Sequence, residues 1–196
     1  LYFTEEGTTT NDYNLASNYV VGNPNPDFIA GLSNTVRFKG FELSFLFQGV
    51  FGNEILNGAG GFMSANGDWF DNQTRDQLGR WQNPGDRTMV PQARWNWSGT
   101  IPNGIAASSR YVYDGTYVRL KTATLAYDVT SSVLSRINLS SLKIYITAQN
   151  LLTITDYPGW DPEVNADYRS GNINQGSDFY SAPQIKSLII GLNIGF

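Results

Sequence analysis

The chain has 196 residues, with 13 Lys and Arg against 17 Asp and Glu, no His, no Cys and a formal charge of −4. That inventory excludes His-based triads, Cys nucleophiles, His-ligated zinc and disulfides, and it offers no basic stripe for nucleic acid. Charged residues make up 15% of the chain and aromatics 14%, against roughly 25% charged in ordinary soluble domains.

The chain opens Leu1-Tyr2-Phe3-Thr4-Glu5-Glu6 without an initiator Met, a basic n-region or an apolar h-region, so a processed chain or a piece of a longer polypeptide is expected. No run approaches the ~18 uncharged apolar residues of a spanning helix. A β-barrel stays open, because its signal per strand is much weaker.

Period-2 alternation then recurs along the chain. Phe28, Ala30, Leu32, Val36 and Phe38 oppose Ser33, Thr35 and Arg37. Phe41, Leu43, Phe45, Phe47 and Phe51 oppose Glu42, Ser44 and Gln48. From Tyr117, Val118 and Leu120 oppose Arg119 and Lys121, and the phase blurs at Leu125 and Tyr127, which suggests a bulge. Leu142, Ile144, Ile146, Ala148 and Leu152 oppose Lys143, Tyr145, Thr147 and Gln149. In Gln184–Phe196, Leu188, Ile190, Leu192, Ile194 and Phe196 share one side. These patterns predict strands over 28–38, 41–53, 116–128, 141–154 and 182–196, each near the ~9–11 residues of a tilted membrane strand.

The connections alternate in length. Lys39-Gly40 reads as a tight turn and 129–140 as a modest one with a helical turn around Ser132–Arg136. Residues 1–27, 54–115 and 155–181 read as long loops, with a short helix over Asp71–Trp81 stopped by Asn83-Pro84-Gly85. A soluble β-sandwich has strands that alternate in the same way. Long connections on one side and short ones on the other favour an outer-membrane barrel, since loops of this size are out of place in a compact domain.

Several strings stand out in order along the chain: Gly22-Asn23-Pro24-Asn25-Pro26-Asp27-Phe28, Phe38-Lys39-Gly40-Phe41-Glu42-Leu43, Gly52-Asn53-Glu54-Ile55 and Arg80-Trp81-Gln82-Asn83-Pro84-Gly85-Asp86. They continue with Tyr117-Val118-Arg119-Leu120-Lys121, Ala148-Gln149-Asn150-Leu151-Leu152-Thr153, Gly159-Trp160-Asp161-Pro162-Glu163-Val164-Asn165 and the alternating run that ends at Phe196. Together they resemble the C-terminal part of the SusC/RagA family of TonB-dependent outer-membrane transporters of the Bacteroidota. The resemblance implies an all-β fold, the last five antiparallel strands of a transmembrane barrel of about 22 strands, with its N-terminal plug outside this chain. It places 1–27, 54–115 and 155–181 outside the cell, and it makes Leu188, Ile190, Leu192, Ile194 and Phe196 the C-terminal assembly signal. Five strands alone leave unpaired edge groups, each expensive in hydrocarbon, so the rest of the barrel is expected elsewhere.

On this reading Phe41, Leu43, Phe45 and Phe47 face lipid with Leu188, Ile190, Leu192 and Ile194. Glu42, Gln48, Arg119, Lys121, Lys143, Tyr145 and Gln149 face the lumen, solvated there or paired with the plug. Trp69, Trp81, Trp95, Trp97, Trp160 and Tyr180, with Phe70 and Tyr157 nearby, put aromatic faces beside amides in the loops, which suits sugar rings or peptides. Packing of the loops on each other or on a lid protein is the plainer role for any one of them. Asp161, Glu163, Asn165 and Asp167 begin like a calcium loop, but Ala166 stands where Gly is wanted and Asn172 where Glu is wanted, so no metal is expected. Gly58-Ala59-Gly60-Gly61 lacks the Lys and helix of a phosphate loop, and no cofactor is expected.

The implied function is TonB-dependent import of glycans or oligopeptides in the outer membrane of a Gram-negative cell, without enzymatic activity. The implied partners are a SusD-like surface lipoprotein, the TonB complex acting through the plug, the outer-membrane insertion machinery, the remaining barrel and lipid. A structural barrel subunit of a larger outer-membrane complex is the alternative reading. A soluble lectin-like β-sandwich is a remoter one.

Overall fold

A computed structural model describes residues 2–64, 72–93, 106–135, 139–163 and 175–196. Its strands, in chain order, are β1 (Tyr2–Phe3), β2 (Thr9–Thr10), β3 (Phe28–Phe38), β4 (Phe41–Phe51), β5 (Glu54–Asn57), β6 (Val112–Asp114), β7 (Tyr117–Asp128), β8 (Ser141–Thr155), β9 (Ser177–Asp178) and β10 (Ser187–Gly195). The chain divides into two compact units, one of Leu1–Pro24, Glu54–Tyr113 and Val164–Ser181, the other of Asn25–Asn53, Asp114–Glu163 and Ala182–Phe196.

The second unit is built on one antiparallel sheet in the order β10-β8-β7-β4-β3. β3 and β4 are joined by Lys39 and Gly40 with φ of 48° and 88°. Both central residues at positive φ make the two-residue turn whose twist matches a hairpin. Gly40 is needed there, since a Cβ would meet the Asp128 carbonyl oxygen at 3.0 Å.

The register sorts the side chains onto two faces. Val36, Leu43, Leu125, Ile146 and Ile190 form one row across the five strands, and Leu32, Phe47, Leu120 and Leu152 another. Thr35, Ser44, Thr124 and Thr147 form a row on the opposite face, where Thr124 and Thr147 share a hydrogen bond of 2.8 Å. The apolar face is open: Ile190 is 72% exposed and Leu188 65%. A sandwich would bury these residues against a second sheet.

Aromatic pairs bracket the apolar face. Phe28 and Phe51 stack at one end with ring centroids 4.6 Å apart, and Phe41 and Tyr127 meet at the other, also at 4.6 Å. The ten steps from Phe41 to Phe51 make ~34 Å of strand at ~3.4 Å per residue. At a tilt of ~40° that is ~26 Å of height, close to the ~25 Å apolar band between the aromatic girdles of an outer-membrane barrel.

Bulges run across the middle strands as a staircase. Between Leu46 and Phe47 of β4, β7 carries one extra residue, Lys121, and opposite Lys121 β8 carries two, Asn150 and Leu151. One extra residue reverses the facing of a strand and two restore it. On β7 the outward residues are therefore Val118 and Leu120 before the bulge and Ala123, Leu125 and Tyr127 after it. On β8 the alternation stays in phase.

The last strand starts later than the alternation suggests. Pro183 has no N–H, the Gln184 N–H is taken by Asp161 Oδ2 at 2.9 Å, and the Ile185 carbonyl accepts the Asn150 side-chain amide at 3.1 Å. With those groups engaged, the ladder begins at Ser187. β4 ends at Phe51, because Gly52 at φ 82° turns the chain.

The first unit has a three-stranded sheet in the order β6-β5-β9, with β5 and β9 parallel, so the 54–115 segment is not wholly irregular. Ile55 at 1% exposure and Tyr111 at 3% are buried in this unit. The helix expected over Asp71–Trp81 is a short 3-10 turn at Arg75–Gly79, and Asp71 lies outside the described residues. The expected helical turn lies at Ser131–Leu134, and Arg136 lies outside the described residues.

Candidate functional site

A buried cluster of charge in the second unit sits where the wall passes into a loop. Arg119 on β7 is 1% exposed, and each of its three nitrogens has a partner. Nε donates to Thr153 Oγ1 on β8 at 3.0 Å, Nη1 to Glu163 Oε2 at 2.9 Å and Nη2 to Asp161 Oδ1 at 2.5 Å. The Tyr117 ring lies 5.4 Å from the guanidinium carbon. The bulge residue Lys121 adds a second cation, with Nζ 2.6 and 2.8 Å from the two oxygens of Glu163. Two cations and two carboxylates make the cluster formally neutral, the condition under which buried charges are tolerated.

The loop is shaped to bring both carboxylates to one place. Asp161 Oδ1 accepts the Glu163 backbone N–H at 2.8 Å, an Asx-type turn around Pro162. Gly159 leaves room for the buried Tyr157 ring, which a Cβ would approach to 2.2 Å. Thr155 Oγ1 donates to the Thr116 carbonyl at 2.8 Å and accepts the Tyr157 N–H at 3.1 Å. Burial by itself pushes the Asp161 carboxyl up. It is outweighed by the hydrogen bonds from Arg119, Gln184 and Glu163 and by the Arg119 charge, so the carboxyl is held below its ordinary value.

Beside the cluster is a cavity of about 200 Å³, lined by Asn150, Trp160, Pro162, Pro183, Gln184 and Lys186 together with Arg119, Thr153, Thr155 and Asp161. Trp160 is 68% exposed.

The remaining polar-face residues fall into separate groups. Glu42 accepts from Arg37 Nε at 2.6 Å and lies 3.7 Å from Lys143, which is also 3.7 Å from Asp128. Gln149 Oε1 accepts the Ser187 hydroxyl at 3.0 Å. Tyr145 lies over Gly191, where a Cβ would fall 2.2 Å from its ring. Gln48 is the register partner of Arg119. Leu188, Ile190, Leu192 and Ile194 lie on the apolar face, in register with Ala148, Ile146, Ile144 and Leu142, and Phe196 follows the strand.

The aromatic candidates are divided between the two units and positions outside the described residues. Trp160 belongs to the second unit. Trp81 and Tyr180 belong to the first, where the Trp81 backbone N–H donates to the Val90 carbonyl at 3.0 Å and the Tyr180 ring meets Phe179 edge-on at 5.0 Å. Trp69, Trp95 and Trp97 lie outside the described residues, as do Asn165 and Asp167. Asp161 and Glu163, which resemble the start of a calcium loop in sequence, are committed to Arg119 and Lys121. Among the described residues no group of three His, Cys, Asp or Glu side chains is placed to hold a metal.

Sequence reasoning missed two features. One is the pairing of Asp161 and Glu163 with Arg119 and Lys121, whose only signal was four opposite charges in an otherwise charge-poor chain. The other is a cavity of about 690 Å³ in the first unit, lined among others by Tyr13, Asn14, Asn18, Tyr19, Glu54 and Gln175. Those side chains carry no periodicity that would mark them.

No protein-family model matches the chain. The sequence is 36% identical over 190 residues to TonB-dependent receptor P3 of Formosa agariphila, a match covering 94% of the chain and 18% of that protein. It is 32% identical over 183 residues to TonB-dependent receptor P26 of the same organism, covering 90% of the chain and 18% of the relative. The chain thus spans less than a fifth of these relatives. Its fold is similar to the RagAB peptide importer in the closed-closed state, with a TM-score of 0.72, 22% identity, and coverage of 99% of this chain and 20% of that one. The open-open state of the same importer matches 87% of the chain and 17% of that one, at a TM-score of 0.67 and 24% identity.

Proposed function

Because this chain is of the SusC/RagA type of TonB-dependent transporter, we propose that it forms part of the wall of an outer-membrane barrel that imports glycans or oligopeptides. The observation that carries the proposal is the single sheet with one open apolar face between two aromatic levels, in a chain matched along 94% of its length by a TonB-dependent receptor. The apolar face meets lipid, and the face bearing Glu42, Gln48, Arg119, Lys121, Lys143, Tyr145 and Gln149 lines the lumen. The strands beyond β3 and β10, which complete a barrel of about 22 strands, come from the rest of the polypeptide, as does the plug on which TonB pulls. Residues 1–27, 54–115 and 155–181 lie outside the cell, where Trp160 and the other loop aromatics meet substrate and a SusD-like lipoprotein. The C-terminal run from Leu188 to Phe196 is read by the insertion machinery. Substrate crosses without a bond being made or broken.

The test is uptake of fluorescein-labelled oligosaccharides and of a labelled peptide digest by cells that carry the full-length gene. Deleting that gene, TonB or a SusD-like lipoprotein partner is expected to abolish uptake of one of the two probes. Uptake that survives all three deletions overturns the import reading.

A further inference from the structure

Arg119 is buried at the loop end of β7, yet it is bonded to a loop that carries an exposed Trp. Its guanidinium joins β7, β8 through Thr153, and the loop through Asp161 and Glu163. Asp161 in turn holds the Glu163 and Gln184 backbone N–H groups with its two oxygens. One buried side chain therefore ties the loop after β8 to the wall and, through Asp161, to the approach of β10. Trp160 is the residue immediately before Asp161 and stands 68% exposed beside the 200 Å³ cavity. An exposed Trp has a large apolar face free for a ligand, but a ring on an untethered loop loses affinity to the entropy of ordering it.

We infer that Arg119 is a positioning residue for substrate capture: by anchoring Asp161 and Glu163 it fixes the ring of Trp160 over the cavity formed with Pro162, Pro183, Gln184 and Lys186. The inference rests on the import reading for its consequence, though not for its geometry. Lys121 assists by holding the outer side of Glu163, which is 32% exposed where Asp161 is 6% exposed. Arg119 carries the larger share, because it alone of the two cations reaches Asp161.

The experiment uses the full-length transporter, labelled with 5-fluorotryptophan, in four forms: unmodified, Arg119→Lys, Arg119→Met and Trp160→Phe. The last form assigns the Trp160 fluorine resonance. Heat-dependent gel mobility reports whether each barrel has assembled. In Arg119→Met, exchange of the Glu163 and Gln184 amides is expected to rise at least about tenfold, as protection falls with local opening. The Thr124 and Thr147 amides should be unaffected, and the Trp160 resonance should shift or broaden. Arg119→Lys should restore part of each signal, since it keeps a charge but loses the fork. For whichever labelled probe the unmodified protein takes up, Arg119→Met should raise the half-saturating concentration and leave the maximal rate within about twofold.

Unchanged exchange and an unchanged Trp160 resonance in an assembled Arg119→Met barrel overturn the inference. So does a raised exchange with unaltered uptake, because the loop is then held by Arg119 but takes no part in capture. If Arg119→Met fails to assemble, Arg119→Lys decides by the same two signals. Failure of the unmodified protein to take up either probe counts against the import reading alone, while exchange and fluorine spectra still decide the anchoring.

Discussion

Leu192→Lys tests the face assignment most directly. Leu192 is the middle member of the set Leu188, Ile190, Leu192, Ile194 and Phe196, and it is 58% exposed on the apolar face in register with Ile144. About four residue steps separate it from either end of the set, ~14 Å of strand at ~3.4 Å per residue. At a tilt of ~40° that is ~10 Å of depth, which places Leu192 near the centre of a ~25 Å apolar band. A Lys at the midplane costs about 2–4 kcal/mol, a large fraction of the ~5–15 kcal/mol that holds a typical protein folded. The control is Ile189→Lys, on the same strand but pointing to the polar face beside Thr147 and already 45% exposed. It should stay within about 1 kcal/mol of the unmodified protein. Urea unfolding of the full-length barrel in phosphocholine liposomes, followed by Trp fluorescence and checked by heat-dependent gel mobility, measures both. Equal costs for the two substitutions, or no cost for Leu192→Lys, would refute the assignment of this face to lipid.

Arg119→Ala should destabilise by about 3–5 kcal/mol, because it leaves the buried Asp161 carboxylate uncompensated, whereas Arg119→Met with Asp161→Asn should cost less than Arg119→Ala alone; a double-mutant cycle in urea reads the difference. The tie should also be acid-labile. Because the folded Asp161 carboxyl titrates below its ordinary 3.8, the stabilisation is fully present above that value and is lost as pH falls through the folded one. Protection of the Glu163 and Gln184 amides should therefore be constant from neutral pH to about pH 5 and collapse only in stronger acid, and a loss centred near neutrality would contradict the sign. Gly191→Ala should destabilise by about 1–3 kcal/mol by driving a Cβ into Tyr145, as overpacking does. Adding Tyr145→Ala should recover most of that cost in the same unfolding assay.

The wall was largely legible because a half-buried strand writes its facing into the sequence at every second residue. Phe28–Phe38 has the same limits in the alternation and in the structure, and the strand expected over 41–53 begins at Phe41 and ends two residues early at Phe51. Where legibility failed, long-range contacts had overridden local pattern. Gln184 and Ile185 alternate with the last strand, yet their backbone groups bond to Asp161 and Asn150, 23 and 35 residues away in sequence. Asp161 and Glu163 have the local spacing of a metal loop, but their partners are Arg119 and Lys121, 42 residues from Asp161 and Glu163 respectively. The cavity walls in the first unit left no trace, because loop side chains converge through tertiary structure and not through period.

The blurred phase in β7 is where local pattern and function meet. Below the bulge the polar-face residues of β7 are Thr122, Thr124 and Ala126, in register with Leu46, Ser44 and Glu42. Continuing that even phase upward would place Leu120 and Val118 on the polar face and send Arg119 and Tyr117 outward. The extra residue, Lys121, reverses the phase, so Arg119 comes beside Gln48 and Thr153 and can reach Asp161. A single inserted residue thus permits a strand with an exposed apolar side to carry a buried guanidinium at its loop end, and its own side chain supplies the second cation. Deleting Lys121 should undo both. If the ladder closes without the bulge, Arg119 is turned toward lipid at a cost of up to about 2–4 kcal/mol, depending on its depth, and Asp161 loses its partner; if the bulge re-forms using Leu120, an apolar side chain replaces Lys121 and Glu163 loses one cation only. Amide exchange separates these results, since the first exposes both Glu163 and Gln184 and the second leaves the Asp161 bonds protected. Retention of full protection at both amides together with unchanged unfolding would show that the bulge does not set the facing of Arg119.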